Sequence, residues 1–185
     1  MNTIASIPPD KADALLNWAT TNVTAPELLG DTPTGRFARW YGLGVDTSSG
    51  LADWKGWKPY EAEPITDGLK RLAAAIDPDM TFNSVLVYRY PSGVGIGRHV
   101  DKPIYEGEVT LLNLCKSSAP RELGLFEAMA LEPDSIGFLY GVQRSPIPLR
   151  HGEAIRFNSR VEHGVQPTPA QMERVSIQFR SVNVG

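Results

Sequence analysis

The sequence predicts an α+β fold: a sandwich or barrel of short strands, with two helices packed on the outside of one sheet. Two observations carry this. Apolar residues recur at helical spacing in two segments ahead of residue 78, and from residue 82 the period falls to two. Short alternating runs then follow one another, separated by Gly, Pro, Asp and Ser, as in stacked or closed antiparallel sheets. A chain of 185 residues is expected to form one domain and to bury a sizeable core. Residues 1–81 read as helical support and a lid, and residues 82–182 as the strand-built core.

In chain order, "PPDKADALLNWATTNV" places Ala12, Leu15, Leu16 and Ala19 on one helical face, with Pro9 and Asp10 as its start. Residues 35–64 are rich in aromatics, glycine and turn formers and read as short strands and loops. "TDGLKRLAAAIDPD" repeats the helical spacing through Leu69, Leu72, Ala73 and Ile76, and Pro78 limits its extension. Strand candidates follow at residues 82–90, 94–100, 107–114, 123–131, 135–141, 153–159 and 174–182. No internal repeat or low-complexity tract interrupts them.

Composition narrows the function classes. Hydrophobic residues make up 42% and charged residues 21%, ordinary for a water-soluble domain. Apolar runs are too short and too broken for a membrane span, and no basic stretch leads into an apolar core, so neither membrane association nor a signal peptide is expected. Cys115 is the one cysteine, which excludes an intrachain disulfide and a thiolate zinc cluster. A cytoplasmic monomer is the expectation. A net charge of −3 and a pI of about 5.6 argue against non-specific coating of nucleic acid. Residues 1–88 carry −4 and residues 89–185 carry +1, a mild asymmetry that leaves room for a local basic groove.

Chemistry concentrates in the second half. "GRHVDKP" sets His99 and Asp101 on one face of a strand, with Val100 on the other. His163, in "RVEHGVQP", follows a strand-like run and leads into a turn. Two imidazoles and a carboxylate form the facial triad of non-haem iron(II) oxygenases, although zinc accepts the same ligand types. His151 has no comparable partner and reads as structural or as a loop residue. In "RVSIQFR", alternation puts Arg174, Ser176, Gln178 and Arg180 on one face and Val175, Ile177 and Phe179 on the other. The polar face is either a solvent-facing stripe or a pocket wall whose arginines grip a dianion. Ser84, Leu86, Tyr88 and Tyr90 likewise share a face, with the tyrosines available for core packing or for hydrogen bonds to a ligand.

Four blocks in order resemble the AlkB family of Fe(II)/2-oxoglutarate-dependent dioxygenases: "GRFARWYG", "FNSVLVYRYPSGVGIGRHVDKP", "GEAIRFNSRVEHGV" and "RVSIQFR". The resemblance spans roughly residues 33–182. It implies a double-stranded β-helix (jelly-roll) core, Fe(II) held by His99, Asp101 and His163, and 2-oxoglutarate and O2 as co-substrates. By the same resemblance Arg174 takes the far carboxylate of 2-oxoglutarate, Tyr90 hydrogen-bonds the co-substrate, and Arg180 lies near it and the iron carboxylate. Residues 1–81 become the substrate-recognition lid and residues 82–182 the catalytic core. The implied reaction is oxidative demethylation of an N-alkylated base flipped from DNA or RNA, releasing formaldehyde, succinate and CO2. Trp40 and Tyr41 would then offer stacking faces, and Arg36 and Arg39 phosphate contacts, with core packing the alternative for Trp40.

The departures lie on the substrate side. Tyr88 stands where the family has the asparagine of Asn-x-Tyr, and is assigned to co-substrate binding or to reshaping the pocket. Gly35 stands where proline is common, and Glu153 replaces an aspartate. Three readings follow: the nucleic-acid demethylase; the same oxygenase class acting on a C-methylated pyrimidine, a protein side chain or a small molecule; and a non-catalytic jelly-roll binding module.

Overall fold

The computed structural model describes residues 1–117 and 134–184. In chain order the elements are β1 (Asn2–Ser6), α1 (Pro9–Asn22), β2 (Pro26–Leu29), β3 (Thr32–Asp46), β4 (Lys58–Glu61), α2 (Asp67–Ile76), β5 (Ser84–Tyr90), β6 (Ile96–His99), β7 (Tyr105–Ser117), β8 (Ser135–Tyr140), β9 (Ile147–Arg150), β10 (Glu153–Asn158), β11 (His163–Val165) and β12 (Met172–Val182). The larger sheet runs β1-β10-β7-β12-β5-β3-β2, with β4 paired to β3, and the smaller runs β6-β11-β8-β9. All of these strand pairings are antiparallel.

Strand alternation separates two cores. One face of the larger sheet contributes Val85, Val87, Leu112, Leu114, Val175, Ile177 and Phe179 to a cluster with Ala12, Leu16 and Ala19 of α1 and Leu69, Ala73 and Ile76 of α2. The buried residues of both helices that join this cluster are ones the helical spacing marks as apolar. The Thr66 side chain caps α2 by accepting from Leu69 N at 3.3 Å. At the other end Asp77 accepts from Arg156 Nε at 2.8 Å and from the Thr110 hydroxyl, tying α2 to β10 and β7.

The other face of the larger sheet looks at the smaller sheet. Val109, Leu111, Ile155, Phe157 and Met172 pack there against Ile136, Phe138, Leu149 and Val165. Two antiparallel sheets facing one another across this second core make a jelly roll. The inner face changes character along the sheet, with Val109, Leu111, Ile155 and Phe157 on β7 and β10 and with Arg174, Gln178, Arg180, Tyr88, Tyr90 and Arg36 on β12, β5 and β3. The pocket opens on the polar side.

Residues 35–64 depart from the expected short strands and loops. Thr32–Asp46 is one long strand, which pairs with β5 over Phe37–Gly42 and with β4 over Leu43–Asp46. Among the described residues β1, β2, β9 and β11 are also strands with no counterpart in the expected set, being three to five residues long. So short a run holds one or two turns of the alternation, and partner strands supply the pairing that makes it regular. The strand candidate at 123–131 lies outside the described residues.

Candidate metal centre

His99 closes β6 and His163 opens β11, and the two are direct cross-strand partners. Asp101 follows β6, its backbone N–H donating to Ser159 O at 3.0 Å. One ligand atom from each of the three residues fits within 4.8 Å of the others. Asp101 Oδ1 lies 3.3 Å from His99 Nε2 and 3.8 Å from His163 Nε2. Ligands ~2.1 Å from one metal ion and at right angles sit about 3 Å apart, so this donor set fits a single first-row divalent ion with open positions.

Both imidazoles are oriented alike. His99 Nδ1 is 2.9 Å from Gly97 O, and His163 Nδ1 is 2.9 Å from Val161 O. A carbonyl can only accept, so each Nδ1 carries the proton and each Nε2 presents its lone pair. Burial pushes the His163 pKa down against the pull of Asp101, which keeps that ring neutral and ready to ligate. Burial alone would raise the Asp101 carboxyl, but the Arg180 guanidinium beside it holds it well below the usual carboxylate range. Arg180 Nη2 donates to Asp101 Oδ2, leaving Oδ1 for the metal. The strands carrying the histidines approach closely at Gly164, where a Cβ would stand 2.9 Å from Ile96 O and 3.1 Å from Arg98 N.

The triad stands in a pocket of about 790 Å³ between the sheets. Four arginines line it. Arg36 pairs with Glu27, Arg98 with Glu162, and Arg180 with Asp101. Arg174 has no carboxylate partner among the described residues. It is 0% exposed, its Nε donates to Asn113 Oδ1 at 3.0 Å, and its guanidinium lies 4.2 Å from the Tyr90 ring centroid. Both of its terminal nitrogens are buried and have no acceptor among the described residues. A fixed fork of this kind matches a carboxylate. Asn113 donates in turn to Leu149 O at 3.0 Å and Arg150 O at 3.2 Å, so it bridges the sheets while aiming Arg174. The sequence reading did not single out Asn113. Its signal was a lone amide inside "TLLNLC", on the same strand face as Leu111 and Cys115.

The remaining predicted residues separate by strand face. Arg36, Ala38 and Trp40 line the pocket. Arg39 and Tyr41 lie on the other face and do not reach it. Arg39 pairs with Glu63 at 2.8 Å, and Tyr41 is buried in the helix-side core. Arg39 and Tyr41, expected beside Trp40 and Arg36, therefore stand apart from the pocket, because neighbours on an extended strand point oppositely. Tyr88 lines the pocket but its hydroxyl donates to Glu27 Oε1 at 2.5 Å, so its polar end is committed to β2. Glu27 was not singled out either, since nothing near it in sequence announces a partner 61 residues away. Gly35 has φ +82°, a conformation closed to the proline common at this position. Glu153 accepts from the Thr3 hydroxyl at 2.8 Å and from Arg150 N at 2.9 Å, outside the pocket. His151 is structural: its Nδ1 accepts from Cys115 N at 3.1 Å, and its Nε2 lies 3.2 Å from Asp13 on α1.

No protein-family model matches the sequence, and no curated protein matches it. Solved structures do share its fold. An oxidoreductase of the 2OG-Fe(II) oxygenase family from Burkholderia pseudomallei aligns over 93% of this chain and 78% of its own, with a TM-score of 0.56 and 16% identity. A prolyl-4-hydroxylase from Pseudomonas putida aligns over 97% and 90%, with a TM-score of 0.51 and 15% identity. The chain thus has the fold of 2-oxoglutarate- and Fe(II)-dependent oxygenases. No described helix is long and apolar enough to cross a membrane.

Proposed function

We propose that this protein is an Fe(II)- and 2-oxoglutarate-dependent oxygenase. The observation that carries the reading is the pairing of an oriented His99–Asp101–His163 triad with Arg174, the pocket arginine left without a carboxylate. His99 and His163 would hold iron through Nε2 and Asp101 through Oδ1. Arg174 would take the far carboxylate of 2-oxoglutarate, with Tyr90 beneath its guanidinium. When bound, iron and 2-oxoglutarate activate O2 for oxidation of a substrate C–H bond, with release of succinate and CO2. Arg180 keeps Asp101 ionised and turned to the metal, the carbonyls of Gly97 and Val161 hold the imidazole protons away from it, and the apolar wall of Phe138 and Phe157 limits water at His163.

Two substrate readings remain. The resemblance supports demethylation of an N-alkylated nucleobase, a flat ring that the pocket volume admits. The mouth favours the second, a small molecule. Arg36 and Arg98 are already ion-paired there, Arg39 faces elsewhere, and Leu28, Leu51, Tyr60 and Val100 expose apolar surface around the opening. A phosphate backbone calls for free cations along a track. Incubation with Fe(II), ascorbate and 2-oxoglutarate is expected to yield succinate, and His99→Ala to abolish it. Turnover surviving in that variant defeats the assignment. Formaldehyde from methylated oligonucleotides selects the first substrate reading. Stimulation of succinate formation by small apolar compounds alone selects the second.

A further inference from the structure

The pocket holds a second donor that the metal and co-substrate assignments leave unused. Arg36 is 7% exposed and lines the pocket from β3. Its Nε and Nη2 both reach Glu27 Oε2, at 2.7 and 2.5 Å. The same oxygen accepts from the Thr34 hydroxyl at 2.7 Å, and Glu27 Oε1 accepts from Tyr88 at 2.5 Å. The Tyr88 ring lies 4.7 Å beneath the guanidinium. The cluster is closed except at one point: Arg36 Nη1 is buried and has no acceptor among the described residues. A buried donor without an acceptor is costly, and a pocket wall is where a ligand can supply one.

We propose that Arg36 Nη1 reads a neutral carbonyl oxygen on the substrate, whose apolar body rests against Trp40, Trp57 and the exposed side chains at the mouth. The carbonyl is favoured over a carboxylate because Glu27 already offsets the charge of Arg36, and a second carboxylate would be desolvated beside the first. Arg36 and the co-substrate anchor Arg174 flank the Tyr90 ring, their guanidiniums 6.0 and 4.2 Å from its centroid. Arg174 pairs with Tyr90 in register from β12, while Arg36 approaches from β3 on the far side of β5, so the two backbones stand two strand spacings, about 10 Å, apart. Four of the large apolar side chains that the chain exposes, Leu28, Leu51, Tyr60 and Val100, line this same pocket. The Trp57 indole is held in place by donation to Gly50 O at 2.9 Å.

The inference rests on the oxygenase reading for the fate of the substrate, and on the Arg36 cluster alone for its binding. The test is equilibrium binding, followed by quenching of tryptophan fluorescence, to protein loaded with Mn(II) and 2-oxoglutarate. Three probes share a phenyl body: acetanilide with a neutral carbonyl, phenylacetate with a carboxylate, and ethylbenzene with no acceptor. Acetanilide is expected to bind about tenfold tighter than either of the others, the size of one hydrogen bond to a charged donor. The preference is expected to vanish in Glu27→Gln/Arg36→Gln, which keeps the pair neutral, and in Arg36→Lys, which keeps the ion pair but loses Nη1. Thymidine serves as the nucleoside arm: tighter binding than acetanilide assigns the carbonyl to a nucleobase, and weaker binding to another small molecule. Equal affinities for the three phenyl probes, strongest binding of phenylacetate, a preference that survives both variants, or no binding at all each overturn the proposal. The oxygenase reading fails separately, if 2-oxoglutarate leaves the Mn(II) electron paramagnetic resonance signal unchanged. Probe titration of the metal-free protein then still decides the role of Arg36.

Discussion

Arg174 and Asn113 act as one unit. Burying an arginine is tolerable here because Asn113 satisfies Nε and the pocket leaves the two terminal nitrogens for an anion. Arg174→Lys replaces a planar fork by a point charge and is expected to weaken 2-oxoglutarate binding by about 10- to 100-fold, with Mn(II) affinity retained. Titration monitored by the Mn(II) signal checks both. Asn113→Leu keeps the branching of the side chain but orphans Arg174 Nε, so 2-oxoglutarate binding is expected to fall about tenfold although Asn113 touches no ligand. Unchanged affinity in Asn113→Leu refutes its positioning role. The neighbouring Cys115 thiol is pushed up to about 12 by burial. It is therefore expected to resist alkylation at pH 8 in the native protein and to react only after unfolding.

Strand faces explain which site residues a linear reading captures. The alternation in "RVSIQFR" was open to two meanings, and the inner face of β12 proves to be the pocket wall, with Arg174, Gln178 and Arg180 lining it. In "RFARWY" the same rule divides Arg36 and Trp40 from Arg39 and Tyr41, and a motif read as a block hides that division. The metal site depends on close contact between β6 and β11. Gly164→Ala introduces a methyl 2.9 Å from Ile96 O, so one strand must shift and carry His163 off its position opposite His99. Metal affinity is expected to drop about 10-fold or more, with far-ultraviolet circular dichroism little changed. Isothermal titration with Mn(II) measures it, and an affinity equal to that of the parent protein would show the contact to be slack.

Across the whole molecule, both sheets contribute to one site. His99 and His163 come from the smaller sheet, while Arg174, Arg180, Tyr90 and Arg36 come from the inner face of the larger. Ligands that bridge the two sheets bind only the folded chain and should stabilise it. At a hundred times their dissociation constant the gain is about 2.7 kcal/mol, which for a domain of this size raises Tm by roughly 5–10 °C. Thermal melts with Mn(II) and 2-oxoglutarate together check this. A shift with the metal alone and no further shift with 2-oxoglutarate would count against the Arg174 anchor.

Both helices, the change of period at residue 82, the His-x-Asp pair, His163 and the polar face of "RVSIQFR" were legible from the order of residues. Each is a local pattern: a spacing along the chain specifies a face before anything packs on it. Glu27 with Tyr88, Asn113 with Arg174 and the seclusion of Tyr41 were not legible. They join residues far apart in the chain, and the sequence says which face a side chain takes but not what faces it. The folded sheets supply that partner, and with it the difference between an arginine whose charge is paired, as Arg36 is by Glu27, and one with no carboxylate among the described residues, as Arg174 beside Asn113.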